Sequence, residues 1–127
     1  MTVETLPEGQ EFTGLRGLVV EDNLAILLDT EQLMLESGMA AVFTAANVAQ
    51  AIQIIENTAI DIALLDINLG AETSFALVPS LTQRRIPFVF ASGYGEDADL
   101  PVEARSAPTI RKPYASQDLI NALRAAL

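Results

Sequence analysis

Between Arg16 and Leu127 the sequence switches repeatedly between short apolar runs and stretches of helical periodicity. Arg16 to Val20 (RGLVV) ends as an apolar strand, and Asn23 to Ser37 reads as a helix stopped by Gly38, the residue type that most easily takes the left-handed terminating conformation. Ala41 to Thr44 predicts a short strand. Asn47 caps a helix whose apolar residues Val48, Ala51, Ile52 and Ile55 share one face of a 3.6-residue period. Ile60 to Leu65 (IDIALL) is nearly continuous apolar, as a strand buried on both faces is. A third helix falls within Thr73 to Arg84, where Pro79 is compatible only with a first turn. Pro87 to Ala91 (PFVFA) and Pro108 to Ile110 read as strands, and Ser116 to Leu127 as a last helix with Leu119, Ala122, Leu123 and Ala126 on one side. Gly93 to Ser106 is acidic and broken by Gly95 and Pro101, so it supports at most a short, mobile helix.

Five strands alternating with about five helices, at intervals of roughly 20 to 25 residues, are the pattern of right-handed βαβ units building a parallel sheet covered on both faces. Residues 1–14 carry Glu4, Glu8 and Glu11 with Pro7, Gly9 and Gly14 and no period, and are expected to form a leader before a domain spanning 15–127. At 127 residues a single domain is expected. The sequence stops at the last helix, so no output module is expected.

Composition removes whole classes of chemistry. There is no cysteine and no histidine, which excludes disulfide scaffolds, thiol catalysis, histidine general bases and the usual zinc sites. What remains is carboxylates, hydroxyls and amines. A net charge of −10 argues against nucleic acid or an anionic membrane as partner and for a protein or a cation. The start (MTVETLPEGQEFTG) lacks the charged and apolar regions of a signal peptide, no apolar run reaches spanning length, and a cytoplasmic location is the expectation.

Open parallel sheets bind ligands beyond the carboxyl ends of their strands. There the sequence places Glu21-Asp22 after the first strand, Asp66 after the third, Ser92 after the fourth and Lys112-Pro113 after the fifth. Each has an ordinary structural explanation: the acidic pair as a helix cap, Asp66 as a strand-end residue bonded to a loop amide, Ser92 as a turn hydroxyl, Lys112 as a solvated surface lysine. Their joint placement on one edge is what unrelated surface residues would not produce. Three crowded carboxylates take up protons or recruit a cation, and an all-oxygen set suits Mg²⁺. Lys112 is placed to meet an anion and Ser92 to donate to one, a combination that fits a carboxylate which becomes phosphorylated, with Asp66 as the nucleophile.

On Glu21-Asp22, Asp66 in LLDINLG, Ser92 in FASGYG, and Lys112-Pro113-Tyr114, residues 15–127 resemble the receiver domain of two-component response regulators. The run Phe90-Ala91-Ser92-Gly93 further resembles a subgroup with a Phe-Ala-Thr-Gly motif after strand four, whose members often stand alone. The resemblance implies an α/β, flavodoxin-like (βα)5 three-layer sandwich with a parallel five-stranded sheet of order 2-1-3-4-5. It implies that Asp66 accepts a phosphoryl group from a phosphohistidine on a sensor histidine kinase or histidine phosphotransfer protein. It further implies that Asp22 and Asp66 hold Mg²⁺ directly, Glu21 largely through water and Asn68 through its backbone carbonyl. Lys112 would pair with Asp66 and then with the phosphoryl group, its bond to Pro113 being usually cis. Ser92 would carry the switch toward the face made by the fourth helix, fifth strand and fifth helix, and output would run through a downstream protein partner or a second copy of the chain. Such a protein is a switch rather than an enzyme acting on other molecules.

Two positions depart from the pattern: Glu21 stands where Asp is commoner, and Thr109 where most receivers carry an aromatic switch residue. The expected moving element is therefore Gly93 to Ala107 rather than a ring at 109. A haloacid-dehalogenase-like phosphatase would need a second Asp where Asn68 stands, and a flavodoxin a phosphate-cradling loop where Glu21-Asp22 stands. A pseudo-receiver that binds without being phosphorylated is the alternative. On the first helix, Leu24, Leu28 and Leu35 exceed what one buried face holds, and are expected to face outward as a docking surface or beneath Val3, Leu6 and Phe12 of the leader.

Overall fold

A computed structural model describes residues 11–93 and 100–127. Five strands form one sheet: β1 (Arg16–Val20), β2 (Ala41–Ala45), β3 (Ile62–Asp66), β4 (Phe88–Ser92) and β5 (Thr109–Arg111). Their order is β2-β1-β3-β4-β5 and every pairing is parallel, the flavodoxin-like arrangement. The crossing at β1 and β3, where the chain reverses its direction of travel across the sheet, opens the crevice that receives the site.

Among the described residues the sheet is covered by four α-helices, α1 (Leu24–Glu36), α2 (Val48–Asn57), α3 (Val78–Gln83) and α4 (Ser116–Ala126). The fifth helix counted from the pattern is not among them: in its place Val102–Ala104 makes one 3₁₀ turn, and residues 94–99 of that stretch lie outside the described residues. Pro101 sits immediately before the turn. The third helix is composite. Ser74–Leu77 forms a 3₁₀ turn that runs into α3, and Pro79 occupies the first turn of α3, where its missing N–H leaves no bond unmade.

Caps follow local chemistry. Asn47 Oδ1 accepts from the Gln50 N–H and starts α2, and Asn23 Oδ1 accepts from the Ile26 N–H at 3.1 Å and starts α1. Gly38 leaves α1 with φ 105°, a conformation an L side chain rarely adopts.

Period-2 alternation sends successive side chains of each strand into two separate cores. Leu18, Val20, Ala63, Leu65 and Phe90 pack beneath α2 and α3, while Val19, Ile62, Leu64, Val89 and Ala91 pack beneath α1 and α4. All five residues of β3 are buried, as its continuous apolar run predicts. The second core also holds Phe12, fully buried at the end of the aperiodic leader, where Glu11 forms a 2.9 Å ion pair with Arg124 of α4. Outside the cores, Leu24, Leu28 and Leu35 are 66%, 52% and 40% exposed, the outward stripe expected on α1. Among the described residues no helix is long and apolar enough to cross a membrane.

Candidate functional site

The carboxyl ends of β1, β3, β4 and β5 bring together the residues singled out in the sequence. Glu21 directly follows β1 and its N–H donates to the Ala45 carbonyl of β2 at 3.0 Å, so the polypeptide is still sheet-bound where the acidic pair begins. Asp66 is the last residue of β3 rather than the first beyond it, and Ser92 is the last of β4. Both are buried, whereas Asp22 faces solvent. Since Asn23 supplies the side-chain cap of α1, the acidic pair is not spent on capping.

One oxygen each from Glu21, Asp22 and Asp66 lies within 4.8 Å of the other two. Lys112 joins the group. Its Nζ lies 3.1 Å from Asp66 Oδ1 and 3.5 Å from Glu21 Oε1, and its backbone N–H donates to the Ser92 carbonyl at 2.8 Å. The Lys112-Pro113 peptide is cis. Burial, the bond to Asp66 and the charge of Asp66 push the Glu21 carboxyl up to about 8, against the opposing pull of Lys112. For Lys112, burial works against the charged form, but the bond to Asp66 and the Asp66 and Glu21 charges outweigh it and hold its pKa above the ordinary value. Among the described residues Ser92 Oγ is buried without a hydrogen-bond partner, an unmade interaction that an arriving acceptor oxygen would satisfy.

This donor set fits Mg²⁺. It offers only oxygens, with more negative charge than one lysine balances, and the proton held on Glu21 marks the same excess that a hard cation would relieve.

The loop after β3 forms the rim. Asn68 is exposed and bridges to Thr73, the Leu69 N–H donates to the Glu72 carbonyl, and the Ser74 N–H donates to the Ile67 carbonyl. Gly70 takes φ 81°, and a Cβ there would stand 3.9 Å from Asp22 Oδ2. Glu72 was not anticipated: its carboxylate accepts the Val48 N–H at 3.0 Å and ties this rim to the start of α2. Nor was the partnership of Tyr114 and Thr30, whose hydroxyls lie 2.6 Å apart between the Lys112 loop and the buried side of α1. Burial raises the Tyr114 pKa, the bond to Thr30 lowers it in part, and the Glu21 charge raises it further, so the phenol stays protonated at neutral pH. A polar Thr30 on the buried face of α1, between Leu27 and Met34, was the available signal.

Comparison with known proteins agrees with this geometry. The model of the response regulator receiver domain matches residues 18–124. The solution structure of SdrG from Sphingomonas melonis is 34% identical, covers 89% of this chain and 96% of its own, and superposes with a TM-score of 0.73. A CheY-like receiver domain protein from Methanospirillum hungatei is 28% identical, with 88% and 92% covered and a TM-score of 0.77. The regulatory protein VirG of Rhizobium rhizogenes is 28% identical over 117 residues, which are 87% of this chain and 47% of VirG. The chain thus spans about half the length of the curated relative it matches. With the sheet order, the strand-end cluster and the matched span in agreement, the chain belongs to the response regulator receiver domain family of two-component systems.

Proposed function

We propose that the chain is a phosphoacceptor switch in which Asp66 takes a phosphoryl group from a phosphohistidine of a sensor histidine kinase or histidine phosphotransfer protein. The observation that carries this reading is the placement of Lys112 Nζ against Asp66, with a buried Ser92 hydroxyl at the end of the neighbouring strand that has no partner among the described residues. An Asp66 oxygen attacks phosphorus, the P–N bond of the donor breaks, and its electron pair returns to the imidazole. Lys112 leaves its pairing with the carboxylate to meet the phosphoryl oxygens, and Ser92 Oγ–H donates to one of them. Glu21, Asp22, Asp66 and the Asn68 carbonyl would hold Mg²⁺, which when bound neutralises the charge of the phosphoryl group. These 127 residues hold no histidine, so the donor phosphohistidine lies outside them.

Output on this reading is protein to protein, and the connection over 100–107 is the element that responds; residues 94–99 of the stretch expected to move lie outside the described residues. Thr109 is exposed and carries no ring to turn. The outward leucines of α1 form the contact with the kinase or phosphotransfer partner. Acetyl phosphate with Mg²⁺ is the test of the reading: the wild-type chain becomes labelled and Asp66→Asn does not. Labelling that survives in Asp66→Asn removes the assignment, and a wild-type chain that never labels makes it a pseudo-receiver.

A further inference from the structure

Lys112 is held at two points. One is its own N–H on the Ser92 carbonyl of β4, which fixes the backbone before the side chain departs. The other lies two residues on, where Tyr114 shares the 2.6 Å hydrogen bond with Thr30. A groove of about 270 Å³, lined by Ile26, Asp29, Thr30, Leu33, Lys112 and Tyr114 among others, runs between the loop and α1. Tyr114 packs against the core beneath α1 and α4, and its hydroxyl is what ties the loop to α1 across the groove. The hydroxyl pair crosses that gap. It joins the Lys112 side of the site to α1, the helix that begins two residues after Asp22, so it spans the two halves that meet at Asp66.

We infer that Tyr114 and Thr30 form a positioning latch that sets Lys112 over Asp66 and Glu21. The inference rests on the phosphoacceptor reading above. Thr30 is buried on a helix face otherwise occupied by Leu27 and Met34, where a hydroxyl is tolerated only with a partner. Tyr114 is partly buried, and its phenol remains protonated over the range in which the site works, so the pair keeps a proton to share. Breaking the pair leaves both side chains near the groove, so the loop gains freedom where Lys112 must be placed.

The test is acetyl phosphate labelling of the full chain carrying Tyr114→Phe, Thr30→Val or Thr30→Ser, each also in a Lys112→Ala background. Tyr114→Phe keeps the ring and Thr30→Val the shape, so each removes the bond with little change in volume. Both are expected to slow labelling by about fivefold, within the usual range for coupled neighbours, while Thr30→Ser restores it. In the Lys112→Ala background the same substitutions are expected to have no further effect, because the latch acts through the lysine. An equal loss with and without Lys112, or a Tyr114→Phe chain that labels like wild type, overturns the latch while leaving the phosphoacceptor reading intact. A wild-type chain that takes no label overturns both.

Discussion

Helix α1 and the connection from Leu100 to Pro108 pack against different cores of the sheet and are built in opposite ways. The helix is 13 residues long, capped by Asn23, closed by Gly38, and anchored by buried Leu27, Thr30 and Met34. The connection has one 3₁₀ turn, local bonds such as Ala104 N–H to the Pro101 carbonyl at 2.9 Å, and Ala104 as its buried residue, while Val102 is 70% exposed. Local stability follows buried apolar contact and shielded hydrogen bonds. On the phosphoacceptor reading proposed above, the helix side is expected to act as the fixed wall of the site and the connection as the element that shifts.

The largest expected contrast is in stability. Met34→Ala removes a fully buried side chain beneath α1 and is expected to destabilise by about 2–5 kcal/mol, against within about 0.5 kcal/mol for Val102→Ser on the connection. Denaturant midpoints compare the two, and similar losses would erase the distinction between wall and moving part.

A pH effect comes next, on the order of 2 kcal/mol once the roughly 5 kcal/mol that a shift of this size converts to is discounted for solvent screening. The fold keeps the Glu21 proton up to about 8 while the unfolded chain releases it near 4.5, so the unfolded state binds fewer protons between those values. Stability of the metal-free protein therefore falls as pH rises through that window. Glu21→Gln is expected to flatten this part of the profile, and a slope unchanged by the substitution would place its source in other groups.

Smaller again is the effect of the outward leucines. Leu24→Asn with Leu28→Asn is expected to slow phosphotransfer from the partner by about tenfold and leave acetyl phosphate labelling unchanged, since both side chains are exposed and away from the core. Equal loss in both assays would trace the effect to the fold instead. The comparison itself is sharpened by amide exchange with and without beryllofluoride. Protection is expected to change across 100–107 and to stay constant along α1, and the reverse pattern would exchange their roles.

What was legible in the sequence is what local chemistry or strand order determines. Asn47 as a cap, Gly38 as a stop and Pro79 in a first turn follow from the preferences of single residues, and the buried run before Asp66 announces a central parallel strand. The site was legible because βαβ topology delivers every strand end to one edge, so Glu21, Asp22, Asp66, Ser92 and Lys112 could be assembled without a structure. Less visible were contacts between distant residues with no periodic signature. Thr30 and Tyr114 are 84 positions apart, and nothing near either names the other. Phe12 follows a stretch too short for a period, yet it completes the core between α1 and α4. β3 ends one residue beyond the apolar run expected for it, and starts two residues into that run; a charged Asp66 looks like a loop residue, while Lys112 and Glu21 allow it to end a buried strand.

The central claim is that this edge of the sheet makes Asp66 a phosphoacceptor. Mass analysis of the intact chain after incubation with acetyl phosphate and Mg²⁺ tests it most directly, followed by hydroxylamine treatment and peptide mapping. The account predicts one added phosphoryl group, removed by hydroxylamine as an acyl phosphate is, mapping to the peptide that carries Asp66 and missing when chelator replaces Mg²⁺. A mass that does not change, or a modification on a serine, threonine or tyrosine that resists hydroxylamine, would contradict it.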